Sequence, residues 1–321
     1  RAGDRLLAID GSAAAGMPLE QARERLRGPA GSIVDVTVGP GEGSHRGRVR
    51  RISLYRERVI PNTVTTAVED GVATLKIDRF NAATSVNLRE AIAGANLRLG
   101  PDARGFILDL RSNPGGLLDQ AVAVADIFIP QGSIVTTRGR HPDSVQRFEA
   151  TGDDAIAGLP LVVLLDGRSA SASEIVAAAL QDSGRAVVIG ASSYGKGSVQ
   201  TVTRLPNDGE LFLTWSRIYA PSGYTLHLQG VTPTVCTSRD EADAAEVIRR
   251  LHEGEPALPA MLVTLRNAAP DDEGALSSLR TMCPWKDHAA DLDLEVARRL
   301  LTEDGLYRRI MRMSPVMLAE R

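Results

Sequence analysis

The sequence predicts an α/β protein, with a small mixed-β module ahead of the main body and a helical extension behind it. Three observations carry this reading. From about residue 60 to 235, short apolar runs alternate with amphipathic runs, as expected for a parallel-rich sheet covered by helices. Residues 1–55 hold short alternating strand patterns and one brief helical pattern. Residues 238–321 hold two amphipathic helical runs around a Pro-containing, poorly patterned stretch. The expected segments are therefore 1–55, 56–237 and 238–321.

In the first segment, Leu6–Ile9 reads as a strand and Asp10-Gly11 as its turn. Residues 19–26 are helical, with apolar residues at Leu19, Ala22 and Leu26. Ile33–Val38 alternates as a strand, Gly39–Gly47 is a glycine-rich loop, and Val49–Leu54 returns as a strand. In the second segment, strands are expected at Val72–Ile77, Gly105–Leu110, Ser133–Thr137, Pro160–Leu165, Ala186–Gly190 and Leu211–Tyr219. Leu88, Ile92, Ala95 and Leu99 mark one helix face. Further helices are expected at Leu117–Phe128 and Ala172–Leu180. In the third segment, Glu241–Leu251 and Leu292–Leu301 are the helical runs.

Composition narrows the function. The chain has 321 residues, a length suited to about two domains. Its net charge of −3 argues against general nucleic-acid binding. It contains no apolar run of about 18 residues, so no transmembrane segment is expected. It begins at Arg1 without Met or a signal-peptide pattern, as a fragment or mature product would, and a lost targeting segment stays open. Only three of the 37 basic residues are lysines, Lys76, Lys196 and Lys286. Arginine cannot lose its proton near neutral pH, so those three are the only cationic side chains suited to act as a base. Cys236 and Cys283 are an even pair, and a bridge or two unrelated thiols both fit.

The chemistry gathers in three loops. At Asp166-Gly167-Arg168-Ser169-Ala170-Ser171-Ala172-Ser173-Glu174-Ile175, an apolar strand turns into an Ala-rich helix. A serine there faces the amides and positive dipole of a helix start, which suits a nucleophile that generates an oxyanion. Ordinary capping is the competing reading for any one of the three serines. A nucleophilic serine needs a base. Of His45, His141, His227, His252 and His288, only His227 lies near the sheet segment's loops, giving an alternative Ser171–His227–Asp109 triad. Lys196, within Tyr194-Gly195-Lys196-Gly197-Ser198-Val199-Gln200, is the stronger candidate. Its flanking glycines permit close backbone approach. Burial among Ala and Val would favour the neutral amine, and in an extended segment Gln200 would share its face. The third loop is Asn113-Pro114-Gly115-Gly116, at the carboxyl end of a predicted strand, where free glycine amides suit an oxyanion.

Together these segments resemble the carboxyl-terminal processing peptidases, also called tail-specific proteases. Ser169–Ile175, Tyr194–Gln200 and Asp109–Gly116 carry the likeness, and Gly230-Val231-Thr232-Pro233 resembles the segment that closes the family core. The resemblance implies a crotonase- and ClpP-like peptidase core bearing a PDZ domain. It implies Ser171 as nucleophile, Lys196 as general base and Gln200 as its orienting partner. The oxyanion hole it implies is made by the amides of Gly116 or Gly115 together with Ala172. Residues 2–11 look like the PDZ central strand and turn, and 26–34 like its helix end and next strand. The peptide-binding loop and its strand would lie upstream of Arg1, as would the family's N-terminal helical segment. The implied partners are proteins or peptides with apolar C-terminal tails. Homo-oligomerisation and an activating adaptor stay open. No metal or other cofactor is called for. The implied location is the bacterial periplasm, which puts a Cys236–Cys283 bridge on equal footing with two free thiols. The two alternatives are a non-proteolytic crotonase-like enzyme of acyl-thioesters and a PDZ-bearing pseudoprotease or adaptor.

Overall fold

The computed structural model describes residues 3–41, 48–239, 243–254, 261–268, 272–286 and 291–313. The chain divides into two compact units, Arg1–Pro61 and Asn62–Arg321. In the first, β1 (Arg5–Ile9), β2 (Ser12–Ala13), β3 (Ile33–Gly39) and β4 (Arg50–Tyr55) form an antiparallel sheet in the order β2-β1-β3-β4, with α1 (Leu19–Leu26). Asp10 and Gly11 both take positive φ, 45° and 78°, the geometry of a two-residue hairpin turn. Ile9, Val34 and Val36 are its buried centre, with Leu6, Ala22 and Leu26 packed on them. Residues 42–47 of the expected glycine-rich loop, with His45, lie outside the described residues, as does His288.

The second unit is built on a six-stranded sheet ordered β14-β11-β10-β7-β6-β5. Its strands are β5 (Val64–Glu69), β6 (Val72–Ile77), β7 (Gly105–Asp109), β10 (Leu161–Leu165), β11 (Val187–Gly190) and β14 (Val235–Cys236). All neighbours are parallel except the β5–β6 hairpin. The strands at Ser133 and Leu211 do not join this sheet. They are β8 (Ser133–Arg138) and β13 (Glu210–Tyr219) of a separate antiparallel sheet, completed by β9 (Gln146–Glu149) and β12 (Ser198–Arg204) in the order β12-β13-β8-β9.

Alternation along the parallel strands sends side chains to opposite faces. Leu75, Ile77, Phe106, Leu108, Val163, Leu165 and Val188 pack with α2 (Thr84–Leu99), α3 (Leu118–Asp126) and α4 (Ala172–Asp182). Ile107, Val162, Leu164, Val187 and Ile189 pack on the other face with α5 (Ala244–Glu253), α8 (Leu292–Thr302) and α9 (Leu306–Met313). The short helices α6 (Met261–Arg266) and α7 (Glu273–Met282) pack on each other through Leu262 and Leu279. Helices α5, α8 and α9 therefore supply the second helical layer over the sheet. Among the described residues, no helix is long and apolar enough to cross a membrane.

β7, β10 and β11 are neighbours, so the loops leaving their carboxyl ends emerge side by side. Those loops contain Asn113–Gly116, Asp166–Ser171 and Ala191–Gly197. Leu164, fully buried between the sheet and the C-terminal helices, tests this layering. Leu164→Ala is expected to lower the stability of the unit by about 2–5 kcal/mol. A denaturant titration should show a lower midpoint.

Candidate active site

Two of the three loops converge on one carboxylate. Glu174, in the first turn of α4, has no solvent exposure. Its Oε2 accepts from the amides of Ser171 at 2.7 Å and Lys196 at 2.9 Å. Its Oε1 accepts from the Gly195 amide and the Ser193 hydroxyl, both at 2.6 Å. Burial pushes the Glu174 carboxyl above its usual value, and the four donors pull against that shift. Because Ser171 and Lys196 share one acceptor atom, the distance between their amide nitrogens is bounded by the sum of those two bonds. A lysine side chain can span such an interval.

The three serines separate by environment. Ser169 and Ser173 are fully buried. The Ser169 hydroxyl donates to the Leu110 carbonyl at 2.9 Å, and that of Ser173 to the Asn113 carbonyl at 3.0 Å. Both act as structural fasteners between the loops. Ser171 is half-buried at the N-cap of α4, with φ 57° and ψ −112°. That conformation is strained for any residue but glycine. No Gly-x-Ser-x-Gly sequence is present, yet the chain makes the same kind of sharp strand-to-helix turn.

The Gly195-Lys196-Gly197 stretch is packed rather than loose. A Cβ on Gly197 would come within 2.1 Å of the His227 amide nitrogen, and Gly195 has φ 90° against Leu228. The Leu228 amide donates to the Gly195 carbonyl at 2.9 Å. Ser193 pairs with Val231 by two hydrogen bonds, which uses the Gly230–Pro233 segment to close the loop. The side chains depart from expectation. Lys196 is exposed, not buried, because its loop turns it outward before β12 begins at Ser198. Gln200 is exposed within β12. Among the described residues no hydrogen bond joins Lys196 Nζ to Ser171 Oγ or to Gln200.

The Asn113–Gly116 loop lies against the serine. A Cβ on Gly115 would sit 2.8 Å from Ser171 Cβ and 2.9 Å from the Ala172 amide nitrogen. The Gly115 amide itself donates to Asn113 Oδ1 at 2.9 Å, so it is not free to bind an oxyanion. This corrects the expectation for Gly115. Gly116 is exposed, and Ala172 is the first residue of α4, whose amides have no intrahelical acceptor.

The histidine triad is not assembled. Both carboxylate oxygens of Asp109 bind Arg111, at 2.9 and 2.8 Å. Arg111 also pairs with Asp291 at 2.6 Å. His227 Nδ1 is buried without a hydrogen-bond partner, and desolvation, then Arg217, holds its pKa below the usual histidine value. Among the described residues, nothing connects His227 to Asp109 or Ser171. Sequence reasoning assigned no role to Glu174, although Ser171-x-x-Glu174 has the spacing of a capping box. Glu174→Gln offers one acceptor oxygen in place of two. It is expected to destabilise the fold by about 1–3 kcal/mol for each donor left unmet, and calorimetry should record the lowered unfolding temperature.

Residues 71–237 match the family model described as Peptidase family S41. The chain is 42% identical over 238 residues to a carboxy-terminal-processing protease of Bartonella bacilliformis, covering 73% of this chain and 54% of that one. It is 33% identical over 234 residues to a carboxyl-terminal-processing protease of Picosynechococcus, covering 72% and 55%. A solved photosystem II D1 C-terminal processing protease is similar at 31% identity and a TM-score of 0.48, over 73% of this chain and 62% of that chain. The chain spans about half the length of the curated relatives it matches. Over its sheet and the three loops that leave it, this chain belongs to peptidase family S41.

Proposed function

We propose that the protein is a serine endopeptidase that cleaves proteins near an apolar C-terminal tail. The observation that carries this reading is the Glu174 carboxylate, which ties Ser171 and Lys196 to one atom. Ser171 Oγ attacks the scissile carbonyl, and its proton passes to the amine of Lys196. The developing oxyanion is bound by the amides of Gly116 and Ala172. The tetrahedral intermediate expels the amine product, which takes its proton from Lys196, and leaves an acyl-enzyme. Water then attacks that ester with Lys196 again as base, freeing the new C-terminus and restoring Ser171. Gln200 orients the amine when Lys196 turns inward. The main chain of both residues is already held, so activation requires a change in the lysine side chain and not in the loop.

The two units fit complementary roles. The antiparallel sheet and single helix of Arg1–Pro61 support a PDZ-type module that takes a peptide C-terminus as an added strand. The mixed sheet of the second unit supports a crotonase- and ClpP-like core. The segments 1–55, 56–237 and 238–321 then act as tail reader, peptidase core and covering helices. The Cys236–Cys283 bridge supports a location outside the cytoplasm, in the periplasm.

One cleavage assay tests the reading, using an unfolded substrate with and without its apolar tail. Cleavage should need the tail, and Ser171→Ala should abolish it. Lys196→Arg should reduce the rate by at least about 100-fold, since a guanidinium cannot accept the proton. His227→Ala should leave it within about threefold of the parent. Loss on the histidine change with survival of the lysine change would refute the serine–lysine assignment.

A further inference from the structure

We propose that Cys283–Trp285, fastened by the Cys236–Cys283 disulfide, is a clamp that positions the nucleophile and base loops, and that reducing this disulfide slows the peptidase. The inference rests on the serine–lysine reading and adds a control to that site. The disulfide joins β14 to the end of α7 across 47 residues. Cys236 pairs with Gly190, the last residue of β11, and Cys283 Sγ lies 3.2 Å from the Gly190 carbonyl oxygen. The bridge therefore sits where the chain leaves the sheet for the Lys196 loop.

Two contacts carry the clamp onward. The Ser192 amide donates to the Cys283 carbonyl at 3.1 Å. The next residue is Ser193, whose hydroxyl donates to Glu174. Two residues beyond Cys283, Trp285 lies on the other loop. A Cβ on Gly167 would come within 2.4 Å of the Trp285 ring, and the Arg168 guanidinium is 5.3 Å from that ring's centre. Gly167 follows Asp166, whose carboxylate accepts from Ser112 and Ser169. One short segment thus touches the base loop through main chain and the nucleophile loop through an aromatic ring.

The rest of the clamp's anchorage is weaker. Arg239 donates to the Met282 carbonyl, and Lys286 to the Arg239 carbonyl. These are exposed contacts, so the covalent bridge is the firm one. Cys283 is buried and Cys236 is half-buried, which makes Cys236 the more open end. Reduction by a dithiol breaks the Sγ–Sγ bond, forms the dithiol's own disulfide, and transfers its two protons to the released thiolates. With the bridge open, the Cys283 carbonyl and the Trp285 ring lose their fixed position against Gly190. The loops then hold Ser171 and Lys196 less well, and displacement of reacting groups acts on turnover before binding.

The test compares the oxidised chain, the dithiol-reduced chain and Cys236→Ser/Cys283→Ser, at a temperature where circular dichroism shows all three folded. The rate constant kcat should fall about 10-fold on losing the bridge, with KM within about twofold. Amide hydrogen exchange at Gly195 and Lys196 should quicken by about 10-fold or more while β7 stays protected. Trp285→Ala should lower kcat and Trp285→Phe should restore most of it. Gly167→Ala should lower kcat in the parent but not in Trp285→Ala, because the ring it strikes is gone. Equal kcat and equal exchange with and without the bridge would overturn the clamp. So would exchange that quickens equally in β7, or a Gly167→Ala effect independent of Trp285. If the oxidised chain shows no Ser171-dependent cleavage, the peptidase reading fails by itself, and exchange at Gly195 and Lys196 still decides the clamp.

Discussion

A buried carboxylate with four donors is the constraint on which the site depends. Glu174 would be a poor choice for a core position without partners, since desolvation alone penalises its charge. The surrounding loops resolve this by turning their amides inward. The Ser171, Gly195 and Lys196 amides and the Ser193 hydroxyl satisfy both oxygens. The Gly195 amide would be an unmet buried group without Glu174, and the other three donors are part-buried. The same four bonds offset part of the cost of burying the charge and hold the loops in place. This mutual dependence fixes the main chain of Ser171 and Lys196 against one acceptor atom.

The sheet sets the wider frame. Three adjacent parallel strands deliver three loops to one edge, and the two faces are covered by chemically similar but sequence-distant helices. The C-terminal block reaches the loops as well as the sheet. Arg111, in the loop after β7, binds Asp109 at that strand's end and Asp291 ahead of α8, while Thr237 donates to the buried Asp293 at 2.5 Å. The second helical layer is thereby keyed to the strand end that carries Asn113.

The elements that sequence alone located were those with long, clean periodicity. The four residues expected on one face of α2 are all buried, and the apolar runs at Gly105, Pro160 and Ala186 became central strands. The local motif signals at Ser171 and Lys196 were also legible, because they depend on neighbours in sequence. Three things were not. β5 was missed although Asp70-Gly71 is the same turn signal as Asp10-Gly11, and both take positive φ. Membership of β8 and β13 in a separate sheet depends on long-range pairing that no local pattern encodes. The exposed side chain of Lys196 and the engagement of the Gly115 amide by Asn113 Oδ1 within its own loop depend on the folded loop geometry. Two glycines in a row cannot reveal which of the two adjacent amides will already be occupied.

The backbone at Ser171 has a consequence for how such a chain is chosen. At φ 57° and ψ −112°, glycine would sit with less strain than any residue bearing a Cβ. Folding considered by itself would therefore favour no side chain at that point. A hydroxymethyl group stands there instead, held against local preference by the Glu174 bond to its own amide. Local backbone preference therefore does not explain the serine at this turn.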